Sequence, residues 1–489
     1  MRFLDDFLNG ITMYRLVFYY LISLVLAAAA LSFLGLLPFS PLSILISAAF
    51  LVVICVTTNK ILAYIFKAPA NIESSYITAL ILCLIITPAS KPNDFVFLLA
   101  AGVIAMAGKY ILFWKKKHIF NPAAAAVTVT AFTIGGYASW WVGTTYMLPF
   151  LLLGVLIVRK IKRTEQVFAF FVGTIAASII VSQVSGNDSV LVLKNTIIDS
   201  PILFFAFIMF TEPLTSPTMR KMQIVYGAMV GVLYSSQLQF SGYYMTPELA
   251  LLCGNLFAYI VGMKTRMVLA LKEKTKIGSD IFNFSFPRPS NFSFTPGQYM
   301  EWTLAHRQVD TRGDRRFFTI AASPTEGTIR LGVRFSQNGS SFKRALSGLT
   351  NSQTIVAGQL GGDFILSKDS SKKLVFIAGG IGITPFRSII KYLIDKNEKR
   401  DIVLFYANKT ADEIVYKDVF DEAEKKFGLK TIYVLEHMNS ETIKREVPDF
   451  LDRTFYLSGP HAMVDAYKKI LNEIGVCSSQ IMTDYFPGY

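Results

Sequence analysis

Between residues 15 and 268 the chain is a succession of apolar runs nearly free of charge, and after residue 270 it is not. About 20 mostly apolar residues are what a helix needs to cross the hydrocarbon of a bilayer. This change of texture therefore dictates two kinds of fold in one chain. The first part is helical and polytopic, because backbone in lipid must satisfy its own hydrogen bonds. The second has the composition of an ordinary globular protein. The mean hydropathy of +0.44 averages the two and describes neither.

Ten stretches reach the necessary length, roughly 15–37, 41–58, 73–89, 94–113, 119–137, 140–158, 166–183, 197–214, 222–239 and 247–268. Residues 1–271 hold 18 Lys/Arg against nine Asp/Glu, which is +9 of the net +14. With the N-terminus inside, 16 of those basic residues fall on one side, among them Arg15, Lys60, Lys67, Lys109, Lys115, Lys116, Lys117, Arg159, Lys160, Arg220 and Lys264. Only Lys91 and Lys194 fall on the other. Positive loops stay inside, so both termini are expected in the cytoplasm and the chain in the plasma (inner) membrane. The excess charge belongs to these loops. No basic helix interleaved with aromatics is present, which argues against nucleic acid. Asp5 and Asp6 precede the first run and no small-residue cleavage site follows, so that run reads as a retained helix.

Cys55, Cys83, Cys253 and Cys477 are far apart and form no Cys-x-x-Cys pair, so neither an iron–sulfur cluster nor another metal site is expected. The first three lie in apolar segments and read as core thiols.

Two segments of the apolar part resemble each other: Leu84 to Pro92, containing Thr87-Pro88, and Met209 to Pro217, containing Thr211-Glu212-Pro213. Their ends face opposite sides in this topology. That fits two five-helix halves of inverted topology with broken helices near a central site. It also fits the plainer view that Thr-Pro turns end membrane helices. Glu212 is an acid at the edge of a span and a functional candidate by default. Asn121-Pro122 opens the fifth stretch as an N-cap followed by Pro at the first helical position. With the Ile119-Phe120-Asn121-Pro122-Ala123 run, the Thr211-Glu212-Pro213 run and the spacing of the spans, residues 10–268 resemble the NqrB/RnfD family. Its members are the membrane flavoproteins of the sodium-pumping NADH:quinone oxidoreductase and of the Rnf complex. The resemblance implies site roles for Asn121, Thr211 and Glu212 and a second flavin, FMN or riboflavin, in the membrane. Those flavoproteins esterify FMN to a Thr in a Ser-Gly-Ala-Thr motif. The nearest run here is Val142-Gly143-Thr144-Thr145, which departs from it.

Residues 272–369 alternate short β-rich runs with turns, as in an antiparallel β-barrel, and residues 370–489 alternate apolar strands with helical stretches, as in a parallel α/β sheet. Through them run, in order, Pro296-Gly297-Gln298-Tyr299, Arg316-Phe317-Phe318-Thr319, Asn338-Gly339-Ser340-Ser341, Gly379-Gly380-Ile381-Gly382-Ile383-Thr384-Pro385, Tyr406-Ala407-Asn408-Lys409 and Ser458-Gly459-Pro460. This series resembles the ferredoxin–NADP reductase-like family, which pairs an FAD barrel with an NAD(P) domain. The resemblance implies that Arg316 holds the flavin pyrophosphate, with Phe317 beside it. It implies that Phe318 packs on the isoalloxazine and that Thr319 faces its reactive edge. Gly339, Ser340 and Ser341 would offer N–H groups and hydroxyls to phosphate. Gly379, Gly380, Gly382, Thr384, Pro385, Gly459 and Pro460 would hold the nicotinamide nucleotide. Lys409 sits where the family often places Arg with NADH, so NADH is favoured over NADPH; Lys409 and Lys417 remain candidates for a 2′-phosphate. One of Tyr485, Phe486 and Tyr489 is expected over the flavin or packed on the last strand.

The expectation is a membrane-bound NAD(P)H dehydrogenase. It would pass electrons through FAD into or across the membrane, to a membrane flavin, a quinone or an extracytosolic flavoprotein. The alternative is a redox-driven sodium transporter, or a subunit of a larger complex. Bis-His haem chemistry is excluded, because His306, His437 and His461 lie in the second part and only His118 lies near the membrane.

Overall fold

The computed structural model describes residues 8, 10–66, 72–114, 117–235, 239–240, 243–262, 266–310, 312–336, 339–435 and 438–484. Lys67, Lys115, Lys116, Lys264, Asn338, His437, Tyr485, Phe486 and Tyr489 lie outside the described residues. The chain divides into two compact units, Met1–Thr265 and Arg266–Tyr489.

The first unit is helical. Among the described residues, four helices are long and apolar enough to cross a membrane: α1 (Met13–Phe33), α2 (Pro41–Ile65), α4 (Pro92–Ile111) and α6 (Thr164–Val184). Between and after them run the shorter apolar helices α3 (Ile72–Ile85), α5 (Pro122–Ile134) and α9 (Pro247–Val261). A pair bent by 57°, α7 (Ser189–Ile198) and the turn-and-π segment Ile202–Met209, makes a fifth span if counted as one. Helix α8 (Arg220–Tyr234) packs on α6. The contact is close because glycines line it. A Cβ on Gly231 would lie 2.3 Å from the Phe170 carbonyl, and one on Gly227 2.4 Å from that of Gln166. Close backbone approach is how membrane helices gain van der Waals contact where lipid gives no hydrophobic drive.

The apolar stretch 140–158 is not a helix. Residues 135–144 run without helix after the left-handed Gly135 (φ +66°), and only the short pieces Leu148–Leu152 and Val155–Ile161 follow. The stretch is apolar because it is buried in protein: Trp140, Trp141 and Val142 are all core residues. Its backbone is satisfied by the open end of α3. Trp140 N–H donates to Ile85 O at 2.9 Å, Val142 N–H to Leu84 O at 3.3 Å, and Trp141 Nε1 to Cys83 O at 2.9 Å. Irregular backbone is tolerated at membrane depth where protein covers it. Lys194, expected in a loop, is in α7, and Cys253, expected in the core, is exposed on α9.

The second unit begins earlier than the change of texture suggested. Strand β1 (Met267–Ala270) pairs antiparallel with β7 (Thr354–Gly361), so residues 267–270 belong to the sheet. Two antiparallel sheets follow. One has the order β6 (Thr328–Arg334), β3 (Ile281–Pro287), β2 (Glu273–Lys276); the other β1, β7, β4 (Tyr299–Thr303), β5 (Arg315–Thr319). Phe286 of β3 meets Trp302 of β4 at 5.4 Å between ring centroids, which joins the sheets through a buried aromatic core. Helix α10 (Ser341–Ser347) lies between β6 and β7 in the chain.

The rest is a parallel sheet with helices. Its order is β10 (Lys430–Val434), β9 (Ile402–Ala407), β8 (Leu374–Gly379), β11 (Thr454–Ser458), β12 (Ile481–Asp484). Every residue of β8 is buried, and alternate residues feed two cores. Leu374, Phe376 and Ala378 pack with Phe386, Ile389 and Leu393 of α11 (Thr384–Lys396). Val375 and Ile377 pack with Val464 and Leu471 of α12 (His461–Glu473). A strand covered on both faces must be apolar throughout, and burying each such side chain contributes about 1.5–3 kcal/mol.

Candidate active site

The parallel sheet fixes where a ligand can bind. Its order runs outward in both directions from the pair β8 and β11. The crevice at the carboxyl ends of such a pair is the binding place of this architecture. The predicted loops stand there. Gly379 to Ile383 follows β8 and leads into α11, where Pro385 occupies the first turn; Gly459-Pro460 follows β11 and leads into α12. The loops touch: a Cβ on Gly459 would lie 3.2 Å from Gly379 Cα, and one on Gly382 2.4 Å from Ser458 O. Gly380 has φ +52°. Bare backbone at the start of a helix suits close approach of a dinucleotide phosphate. Thr384 Oγ1 donates to Ile381 O at 3.1 Å, which leaves its methyl towards the antiparallel sheets.

The second group of residues is on β5 and α10. Arg316 and Phe318 point to one face of β5, Phe317 and Thr319 to the other. The Arg316 guanidinium lies 5.4 Å from the Phe342 ring, and Phe318 lies 5.9 Å from the same ring. Arg316 Nη1 donates to Arg312 O at 2.7 Å and Arg315 O at 2.6 Å, which fixes the fork. Phe317 is exposed and meets Tyr299 edge-on, away from Phe342. Thr319 is buried.

The two groups meet along β6. A Cβ on Gly332 would lie 2.6 Å from the Tyr416 hydroxyl and 2.8 Å from Thr384 Cγ2, and one on Gly380 3.4 Å from Arg334 Nη1. The sheets are locked at this angle by Arg387 of α11. It donates to Ala321 O at 3.1 Å and to Glu326 Oε1 at 2.9 Å. Ser388 Oγ donates to Ala322 O at 2.6 Å, and the Tyr416 hydroxyl to Asn283 Oδ1 at 2.5 Å. Burial would raise the Glu326 carboxyl, but Arg387 and Arg330 bring it below the ordinary carboxylate value.

One loop differs from its expected use. The Ser341 N–H donates to Asp310 Oδ2 at 2.7 Å, and the Ser340 hydroxyl accepts the Lys343 N–H at 3.3 Å. Ser341 Oγ lies 2.9 Å from His306 Nε2 and accepts the Asp310 N–H at 3.0 Å. A carboxylate of the protein therefore closes the start of α10. Burial would raise Asp310, but the Ser341 N–H and Arg312 bring it down to about 2. Asp310 and His306 carry no motif; their contact with Ser341 spans 31 and 35 residues. Lys409 is exposed, and its N–H donates to Glu413 Oε2 at 3.2 Å; Glu413 also pairs with Arg334.

In the helical unit the three candidates come together. Asn121 caps α5, accepting from Ala123 and Ala124 N–H at 3.1 Å each, and donates to Glu212 Oε2 at 2.9 Å. Thr215 Oγ1 also donates to Glu212 Oε2, at 3.1 Å. Asn255 of α9 accepts the Asn121 N–H at 2.8 Å and donates to Thr215 O at 3.2 Å. Asn121, Thr211 and Glu212 line a small, partly open pocket with Ser74, Thr78 and apolar side chains of α1 and α3. Thr144 precedes a turn without capping it through its side chain, and Thr145 donates to Asp199 Oδ1 at 2.7 Å. A buried acid, Glu248, accepts from Trp140 Nε1 at 3.0 Å. Glu248 follows Thr246-Pro247 at the start of α9, a polar cap and Pro of the same kind as Asn121-Pro122, and that likeness was the signal for it. No cluster of three metal-ligating side chains occurs among the described residues.

The family model of the oxidoreductase NAD-binding domain matches residues 376–469, and that of the NQR2, RnfD, RnfE family matches residues 130–268. The chain is 30% identical over 228 residues to NADH-cytochrome b5 reductase 1 of Ajellomyces capsulatus, across 42% of this chain and 73% of that protein. It is 25% identical over 247 residues to a flavohemoprotein of Bacillus subtilis, and there spans 46% of itself and 60% of the relative, less than two thirds. The FAD/NAD-binding domain of a nitric oxide dioxygenase from Vibrio cholerae overlays on 45% of this chain and 98% of its own, at 20% identity and a TM-score of 0.40.

Proposed function

From a chain that belongs to the ferredoxin–NADP reductase-like family, with NADH-cytochrome b5 reductase 1 among its relatives, and that carries an NQR2/RnfD/RnfE-type membrane domain ahead of that module, we propose a membrane-bound, FAD-dependent NAD(P)H dehydrogenase. The observation that carries this reading is the meeting of two groups along β6: Arg316, Phe318 and Phe342 on one side, the glycine loop 379–382 and Thr384 on the other.

The donor set fits FAD. A guanidinium fixed by three backbone carbonyls and set over an aromatic ring suits the flavin pyrophosphate. FAD, when bound, supplies acceptance of hydride from the nicotinamide and release of electrons one at a time. The protein's part is placement. Arg316 anchors one end, Phe318 offers a ring face, and Gly379, Gly380, Gly382, Gly459 and Pro460 admit the second nucleotide. The Arg387–Glu326 pair keeps the two sheets from opening. Thr319 is assigned to the reactive edge by position in the motif.

NADH is favoured over NADPH, because Glu413 sets a carboxylate against the Lys409 N–H, where a 2′-phosphate would be repelled. In the membrane, electrons need a further carrier or acceptor, since the hydrocarbon is about 30 Å thick. The polar cluster of Asn121, Thr215 and Glu212, with Thr211 beside it, is what favours a second flavin or a quinone there. The paired short helices α5 and α9, each opening on a polar cap and Pro, support two inverted halves. The topology consistent with the charges keeps the reductase cytoplasmic. Sodium coupling, or service in a larger complex, is the second reading; Glu212 and Glu248 at helix breaks are what favour it.

The test is a flavin count on detergent-purified full-length protein, with NADH and NADPH oxidation measured in parallel. FAD with NADH oxidation supports the reading. Protein that holds no FAD and oxidises neither nucleotide would overturn it.

A further inference from the structure

Lys343 has no counterpart in the motifs read from the sequence, yet it follows Phe342 on α10, at the edge of the proposed flavin site. It lies in the first turn of α10, and its stem passes Gly339, where an added Cβ would lie 3.6 Å from Lys343 Cβ and 3.9 Å from its Cδ. The charged groups facing it are cations: Arg316 from β5, Arg312 from the segment before β5 and Arg334 from β6. Two of these have carboxylates of their own. Asp310 pairs with Arg312, and Glu413 with Arg334. Lys343 has no carboxylate partner among the described residues. His306 and Asp310, the remaining titratable groups at this end of the helix, are engaged with Ser341. Three guanidiniums around one ammonium repel one another, and a protein retains such a cluster where an anion completes it.

The geometry points to Lys343 as a second phosphate-binding cation of the flavin site, acting with Arg316 and selecting a flavin that carries a pyrophosphate. This rests on the FAD reading above. It also accounts for the closed start of α10. With the Ser341 N–H held by Asp310, phosphate recognition passes from backbone donors to side-chain cations, among them the half-buried Lys343.

Flavin binding is then coupled to protons. Burial first, then the three arginines, pull the Lys343 ammonium down to about 8. A bound phosphate favours the charged form and raises it again. Binding of FAD above about pH 8 is therefore expected to take up a proton, and FAD affinity to fall as pH rises further.

The experiment is titration of FAD into flavin-depleted full-length protein in detergent, followed by flavin fluorescence between pH 7 and 9.5. Proton uptake is read at pH 8.5 in weak buffer. The wild type is expected to lose affinity about tenfold per pH unit above 8 while taking up a proton. Lys343→Met is expected to bind FAD roughly ten- to hundredfold more weakly at pH 7, with no proton uptake. Lys343→Arg should keep the affinity and lose the pH dependence. Wild-type affinity that is flat with pH and free of proton uptake would overturn the assignment whatever the variants do. So would Lys343→Met binding as tightly as wild type. A wild type that binds no FAD at any pH would instead overturn the flavin reading itself.

Discussion

Arg316 and Asp310 show how differently two residues of one site can be read. Arg316 is legible, because a cation two places before an aromatic in an ordered series of motifs has a chemical job. Arg316→Ala is expected to lower FAD retention through a desalting column at least tenfold, and NADH oxidation with it, while the helical unit keeps its thermal unfolding; retained flavin would misplace the site. Asp310 is not legible, since its partner Ser341 is 31 residues away and only the folded chain joins them. Its depressed carboxyl gives a signed expectation. A folded value near 2, below the usual carboxylate value, means that the contact stabilises the ionised form. Its contribution is present above about pH 4 and is lost as pH falls towards 2. Asp310→Asn should therefore unfold at a lower temperature than wild type at pH 7, with the gap closing between pH 4 and pH 2, as read by release of flavin fluorescence. A gap that stays constant across that range would show that the carboxylate's charge does nothing.

At the scale of elements, apolar run length predicted more spans than there are long apolar helices among the described residues. It could not separate backbone that crosses lipid from backbone that protein covers. Residues 135–144 are apolar, yet they donate to the open end of α3 and bury two tryptophans, because Gly135 ends α5 in a left-handed turn. The strands of the second unit were legible for the opposite reason: β8 is buried on both faces and so is apolar at every position. The α6–α8 contact was half legible. Gly227 and Gly231 stand four apart, but the face they meet, around Gln166 and Phe170, is known only from the fold. Gly231→Leu would set a branched side chain where a Cβ alone lies 2.3 Å from a carbonyl. Overpacking of this kind costs about 1–3 kcal/mol or more. The expected outcome is a lower melting temperature for the helical unit in detergent. NADH oxidation with a soluble dye should stay within about twofold, because the reductase unit has its own core. Equal loss of dye activity would show that the two units fold as one.

Over the whole molecule, the decisive feature is that a nucleotide oxidoreductase and a membrane domain with acids at its helix breaks share one chain. Composition gave the membrane half and the globular half, and the ordered motifs of the second gave the oxidoreductase; Glu248 appeared only in the fold. What electrons do after the reductase was not, because the membrane candidates are joined by contacts 91 and 134 residues long, Asn121 to Glu212 and Asn121 to Asn255. Those contacts allow the two stages to be separated. Glu212 belongs to the first unit, so Glu212→Gln should leave NADH oxidation by a soluble dye within about twofold of wild type. If the pocket beside it serves the onward path, transfer to quinone in reconstituted vesicles should fall at least tenfold in the same variant. Amide and carboxylate are nearly equal in size, so a loss would report on charge or proton handling rather than packing. Running the quinone assay with and without sodium adds the discriminating arm. A wild-type rate that rises with sodium, and a variant that no longer responds, would make Glu212 part of ion coupling. A variant impaired equally in both conditions would confine it to the acceptor site. Unchanged quinone reduction would remove the pocket from the electron path and leave the helical unit to hold the reductase at the membrane.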